Sequence, residues 1–488
     1  MMTMAASASL ETAASIAGAP TDPSGPTGRL ANWLATVRFD DIPAAALERG
    51  KYLTLDGIGC ALVGAQLAWS RKAVELVCAL EGEGRASLIG WGTRTSAPAA
   101  ALLNGTFIQG FELDDFHPLA PLHGASVVLP SLFASTELLG GVNGAHFLLA
   151  AMCGYEVGPR VGLALHGSQM LSRGWHSGAV FGTHASAAAA GKLHQLDAAA
   201  FEDALGLAGT QSGGLMAAQF EAMSKRMHHG FASRAGLYAA ALAKGGYTGI
   251  KRVFERDYGG FLSTFGEGHA PDASQIAANL GTTWETEKII IKRYPAMGAL
   301  LAPIEAVLRI RAERPFAADD IERIELDLAS AAFHHGGWQP TRPLTPIGAQ
   351  MNLAYAVAVA AIDGEARMKQ FSPARIDQDD VWALMKRITV RHDRSFDADG
   401  PLARGATRLR MFFNDGRNED QLLRHPRGRP IPLLSNDEIR DKFRSLTSEV
   451  IDRARQSRIE ELVLRIEQLG DVRELIAELA PPVKDALA

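Results

Sequence analysis

Cysteine is scarce in this chain. Cys60, Cys78 and Cys153 stand far apart among 488 residues. No CxxC spacing joins them, so a disulfide framework is excluded. An iron–sulfur cluster held by four thiolates is excluded by the same count. A reducing, cytoplasmic setting is the expectation. An excess of one charge is also lacking. Lys+Arg number 49 against 54 Asp+Glu, which leaves no basic stripe for nucleic acid. No run approaches the roughly 18–20 apolar residues of a membrane helix, so no membrane partner is expected. The sequence has no GxSxG elbow, no HExxH, no Walker loop and no complete GxGxxG after a strand. Serine hydrolase, zincin, P-loop and dinucleotide chemistry are thereby disfavoured. Aromatic residues are few as well, at 7%.

What is present is small and apolar. Hydrophobic residues make up 47%, with 49 Gly and long Ala-rich stretches, which suits closely packed helices. The length exceeds one ordinary core, so two domains are expected. Met1 to about Gly28 is rich in Ala, Ser, Thr, Pro and Gly and reads as a disordered tail, 1–28. From about Asn32 to Gly281 the text is helical, including Ala44–Val63, Ala185–Leu193 and Ala232–Gly245. The period then changes. Ile324, Leu326 and Leu328 alternate with Arg323, Glu325 and Asp327, a half-buried strand. Ile388 with Val390, and Leu409, Met411 and Phe413, alternate likewise, and Asp415-Gly416 offers a hairpin turn. Helices are expected around 304–312 and 349–362. Ser435-x-x-Glu438 is a capping box that reopens helical text. The fold expected is mainly α: a helical domain, 29–287 plus 431–488, with a smaller α+β domain, 288–430, inserted before the C-terminal helices.

Polar residues set in apolar text mark the candidate site. The first cluster runs Glu112-Leu113-Asp114-Asp115-Phe116-His117 and on to His123. Two prolines, Pro118 and Pro121, break it into a loop, so helical metal-ligand spacing is absent and no metal is expected. The second is Arg173-Gly174-Trp175-His176-Ser177-Gly178, with His176 at a helix entrance. The third is Lys225-Arg226-Met227-His228-His229, and the fourth is Lys292-Arg293-Tyr294-Pro295 at the domain junction. Tyr355 lies in an apolar helical run. Each has a bland reading as core or solvated face. Together they offer cations for carboxylates and imidazole or phenol groups for protons, which suits proton transfer on a small polyanion.

Several of these segments carry a resemblance. Leu55-Asp56-Gly57-Ile58-Gly59, Glu112–Asp115, Gly174–Val180, Lys225–Gly230 and Ile291–Pro295 resemble the MmgE/PrpD family, from about Arg29 to Pro482. Ala120–Pro130, Gly174–Val180 and Tyr258–Leu262 look most like its fungal cis-aconitate decarboxylases. The resemblance implies a large all-helical domain, a smaller α+β lid, a site between them and a homodimer. It implies catalytic roles for His123, His176, Tyr355 and Glu112, and substrate contacts for Lys225, Lys292, Asp114, Arg293 and His229. The activity implied is that of a lyase without cofactor on a small di- or tricarboxylate, above all decarboxylation of cis-aconitate to itaconate. Dehydration of 2-methylcitrate and isomerisation of a dicarboxylate are the alternatives within the family. A non-catalytic carboxylate-binding protein is the alternative outside it. Phe116-His117 after the acidic pair, Met297, and Gly124 after His123 depart from patterns found elsewhere in the family. They bear on substrate identity more than on the site's location.

Overall fold

A computed structural model describes residues 18–398, 405–423 and 433–488. At its centre is a helix with no solvent-facing stripe. Helix Ser177–Leu193 is buried along all 17 of its residues, and Ala187, Ala188, Ala189 and Ala190 are wholly covered. A helix apolar all round belongs inside. Helices Gly144–Ala164 and Ser224–Lys244 pack against it. Small residues permit the approach. A Cβ on Gly105 of helix Ala97–Ile108 would stand 2.8 Å from the Cα of Gly230.

The C-terminal part returns to this body. Helix Asn436–Thr447 opens with the expected capping box, in which Ser435 N–H donates to Glu438 (2.8 Å). It lies on helix Ala44–Gly64, where Phe443 faces Gly59. The helical part is not purely helical, because β1 (Ala86–Ser87) and β2 (Arg94–Thr95) form a short antiparallel ladder.

The sheet is small. Strands β3 (Ile321–Leu328), β4 (Ile388–His392), β5 (Thr407–Phe413) and β6 (Asn418–Leu423) are arranged β4-β3-β5-β6. β5 and β6 are the expected hairpin around Asp415-Gly416. β3 and β4 run parallel, which requires a crossover. That crossover contains helix Leu353–Asp363. Ile324, Leu326 and Leu328 of β3 are fully buried, as their alternation predicts. The fold is mainly α with a small sheet part.

Two expectations need correction. The expected tail, 1–28, is too long. Residues 1–17 lie outside the described residues, but 18–28 belong to the packed body. Thr21 donates to Glu202 (2.9 Å), Thr27 donates to Glu255, and a helix begins at Pro26. The expected helix over 349–362 is two helices, Pro346–Gln350 and Leu353–Asp363. Asn352 separates them, because its side chain accepts the N–H of Tyr355 (3.0 Å) and caps the second.

Candidate active site

The first cluster forms a buried loop pinned from three directions. Phe116 exchanges two backbone hydrogen bonds with Ile290, both at 2.8 Å. Lys442, on helix Asn436–Thr447, donates to the Leu113 carbonyl (2.8 Å) and pairs with buried Asp56 (2.6 Å). The Asp115 carboxylate accepts the N–H groups of Gly124 and Ala125, each at 2.9 Å, and so caps helix Gly124–Leu138. Burial, together with the charge of Asp114, pushes the Asp115 carboxyl up to about 8. Its work is to hold the loop.

Glu112 starts this loop in a left-handed conformation (φ 58°), which turns its side chain into a knot of cations. Lys225 Nζ donates to Glu112 Oε2 (2.7 Å), and Arg226 Nη1 donates to the same oxygen (3.2 Å). Lys292 Nζ reaches Glu112 Oε1 (3.2 Å) and its carbonyl (3.1 Å). Arg226 also donates to Gln350 Oε1. All four charged side chains are at most 3% exposed. Burial works against the Glu112 carboxylate, but Lys225, Lys292, His123 and Arg226 outweigh it and hold the carboxyl well below its usual range. One carboxylate cannot satisfy three cations. Lys225 shows this: burial, with Arg226 and Lys292 adding, lowers it to about 8 against the pull of Glu112.

Beside this knot the imidazoles form a row. His123 contacts His229 with ring centroids 4.7 Å apart, and His229 contacts His176 at 4.8 Å. His176 continues to His228, Nδ1 to Nδ1, at 2.8 Å. Asp114 closes the other end on His123 Nδ1 (3.0 Å). Gly178 makes room for the row, since a Cβ there would stand 2.6 Å from His229 Nε2. Burial first, then Lys225 and the other rings, holds His176 well below the usual imidazole range. His229 is lowered by burial and then by His123 and Lys225, and His228 falls to about 4 by burial and Lys225.

Sequence spacing offered no metal-ligand set, yet the fold brings His123, His176 and His229 together, with ring nitrogens within 4.8 Å of one another. The arrangement fits a metal poorly. The rings lean on one another's faces at 37–38°, and the surplus charge alongside is positive.

A cavity of about 90 Å³ opens between these groups and the sheet part. Since one water needs roughly 10–15 Å³ on this measure, the space suits a small molecule. Glu112, His123, His176, Lys225 and Lys292 line it, and Phe116, Met216, Met297 and Met351 make an apolar wall. Asp114 and His229 stand behind the lining. His117 is turned away, held between Glu285 (3.1 Å) and the N–H of Ala120 (3.0 Å). Ser177 of the second cluster also reaches the cavity, as do His335 and Gly405, which no sequence pattern marked. Gln350 and Arg226 were missed as partners in the charge knot. Only Arg226 had a signal, its place beside Lys225.

Two candidates lie elsewhere. Tyr355 is not a cavity group: it is wholly buried, its hydroxyl donates to the Gln370 carbonyl, and its ring packs on Phe371. The helix start set by Asn352 aims it into the core. Arg293 is corrected likewise. Its guanidinium pairs with Glu438 (2.6 Å) at the surface, because it follows Lys292 and points the opposite way. Tyr355→Phe should therefore leave kcat within about twofold while costing about 1–3 kcal/mol, because the Gln370 carbonyl loses its donor. Steady-state kinetics beside thermal unfolding checks both halves.

A helical body closed by a small sheet part over a buried cavity of cations and imidazoles defines an enzyme of small anionic substrates. The chain belongs to the MmgE/PrpD family. It matches the MmgE/PrpD N-terminal domain over residues 28–273 and the C-terminal domain over 294–468. It is 45% identical over 467 residues to the cis-aconitate decarboxylase-like protein oryM of Aspergillus oryzae, covering 92% of this chain and 96% of that one. It is 41% identical over 480 residues to a cis-aconitate decarboxylase of Aspergillus terreus, covering 95% and 98%. The mouse cis-aconitate decarboxylase is 25% identical over 463 residues, covering 92% and 91%.

Proposed function

We propose that the chain is a carboxy-lyase converting cis-aconitate to itaconate and carbon dioxide. The observation that carries this reading is the charge imbalance at Glu112, where buried Lys225, Arg226 and Lys292 share one carboxylate beside the cavity. Buried charges without counter-charge are costly, so the site is built for a ligand that brings several carboxylates. The relatives' names agree with that chemistry.

The reaction needs a cation, an acid and a dry wall. The carboxylate to be lost sits on the saturated carbon next to the alkene. As its C–C bond breaks, that electron pair forms the new double bond, and the old one shifts to take up a proton at the former alkene CH. The trianion and one proton thus give the dianion and carbon dioxide. Lys225 and Lys292 hold the carboxylates that remain. An imidazole facing the cavity, His123 or His176, delivers the proton, worth about 10²–10⁴-fold in acid–base terms. The trianion itself raises the proton affinity of the His176 ring by replacing its positive surroundings with negative ones. Phe116, Met216 and Met297 leave the departing carbon dioxide an apolar space. Glu112 keeps the lysines apart and ionised.

The test is purified protein with cis-aconitate, 2-methylcitrate and citrate, followed by proton NMR. Vinylidene protons of itaconate should grow from cis-aconitate. Dehydration of either hydroxy acid with cis-aconitate untouched would replace the reading by a hydro-lyase. Lys225 adds a pH dependence. Its ammonium is lost as pH rises through about 8, so kcat/KM should fall above that pH. Lys225→Arg should remove this limb without restoring full activity, because guanidinium differs in shape and hydration.

The same reading takes the 288–430 part as a lid, and the enzyme as a homodimer in a reducing compartment. Free Cys60 and Cys153 are buried, in keeping with the last. Phe231, Tyr238 and Leu242 lie exposed along one helix, which suits a subunit contact that light scattering would read. Among the described residues no helix is long and apolar enough to cross a membrane.

A further inference from the structure

Of the three imidazoles among the described residues that line the cavity, His123 and His176 stand beside the cation knot and are held by different partners, while His335 comes from the sheet part. His123 Nδ1 meets the Asp114 carboxylate, 3.0 Å away. His176 Nδ1 meets another imidazole, that of His228, at 2.8 Å. His228 does not line the cavity. It comes from helix Ser224–Lys244, three residues after Lys225, and lies beneath the Gly213-Gly214 turn. That turn is fixed to the His176 segment by two backbone hydrogen bonds, His176 N–H to the Gly214 carbonyl (3.0 Å) and Met216 N–H to the Gly174 carbonyl (2.8 Å). The His176–His228 pair is thus built into the scaffold at both ends.

We infer that His228 is a positioning residue that accepts the Nδ1–H of His176, so that His176 presents Nε2 to the cavity and is the group that delivers the proton to the substrate carbon. The inference rests on the proposed lyase reading and assigns its acid. Two nitrogens 2.8 Å apart share one hydrogen, so the two rings must be complementary tautomers. With His176 as the Nδ1–H form, its bare Nε2 takes up one proton as the trianion binds. The imidazolium then gives that proton from Nε2 to the former alkene carbon and returns to the Nδ1–H form. One N–H bond breaks, one C–H bond forms, and His228 gains and loses nothing. The neutral acceptor matters. His123 differs in having the Asp114 carboxylate on its Nδ1. An imidazole orients the ring without bringing a charge. His123 is left as a hydrogen-bonding anchor for a carboxylate.

The test compares His228→Gln, whose amide oxygen can accept the same hydrogen, with His228→Leu, which cannot. His228→Leu should lower kcat at least about tenfold, within the range an acid supplies, with KM changed less than about twofold. His228→Gln should recover most of kcat. Imidazole 15N NMR of the unliganded enzyme should find the hydrogen on Nδ1 of His176 in wild type and in the Gln variant, and tautomer exchange in the Leu variant. Wild-type kcat in His228→Leu, or His176 as the Nε2–H tautomer in wild type, would overturn the inference. Equal loss in the Gln and Leu variants would do the same. Wild-type enzyme inactive on cis-aconitate would overturn the lyase reading instead, and the NMR arm would still report on the pair.

Discussion

Glu112→Ala should lower stability by about 3–5 kcal/mol, because removing one partner of a buried ion cluster leaves the others uncompensated. Three cations lean on this carboxylate, at 2.7 Å from Lys225 and 3.2 Å from both Arg226 and Lys292. Gln350 still accepts from Arg226, but Lys225 and Lys292 would line a cavity with no other carboxylate among its described lining residues. Glu112→Gln keeps the volume and loses the charge, so it should be nearly as damaging as Ala. Urea denaturation read by circular dichroism measures the cost. A polycarboxylate in the buffer should restore more stability to either variant than to wild type, since it brings the missing negative charge. The sign of the pH dependence follows as well. A carboxyl held below its ordinary range contributes stability above that range and loses it as pH falls. The wild type should therefore lose stability on acidification more steeply than Glu112→Gln. Equal stability of all three proteins would remove the charge imbalance from the argument for function.

The parts of this molecule that were legible in sequence are those governed by local period and local chemistry. Alternation marked β3 and β5, an Asp-Gly pair marked the turn from β5 into β6, and a Ser-x-x-Glu pattern marked the return of helix. Family-like segments led to Glu112, His123, His176, Lys225 and Lys292, and the fold gathers all five on one cavity. Side-chain direction was not legible. Lys292 and Arg293 are adjacent and equally cationic, yet in an extended segment neighbours point opposite ways, so one enters the cavity and the other meets Glu438. Tyr355 was misplaced because Asn352 breaks the apolar run and resets the helix phase. The imidazole row joins residues from three distant segments, and its hydrogen bonds depend on packing that no spacing records. Gln350 and His335 come from the sheet part, from segments with no charged residue beside them to mark them.

His123→Ala and His176→Ala should each lower kcat by at least roughly a hundredfold, while His117→Ala should cost far less activity. All three are buried or nearly so, and all three have a carboxylate or an imidazole as partner. What separates them is the direction they face. His123 and His176 line the cavity, whereas His117 holds a turn between Glu285 and Ala120. A group that touches the reacting atoms acts on the transition state, and its loss appears in kcat. A group that holds a turn acts on folding, and its loss appears in the unfolding curve. His117→Ala should therefore show lowered thermal stability with kcat retained, because Glu285 is left with Lys288 as its cation at 2.8 Å. The cavity variants should show the reverse, with unfolding near wild type. Between the two, His176→Ala should be the more severe in kcat, and His123→Ala should also raise KM if its ring anchors a carboxylate. Single-turnover measurements at saturating cis-aconitate separate binding from chemistry for each variant. A His117→Ala enzyme as slow as the other two would mean that the loop is pinned through His117 tightly enough to set the whole cavity. Full activity in both cavity variants would move proton delivery to Lys225, Lys292 or His335, which also line the substrate space.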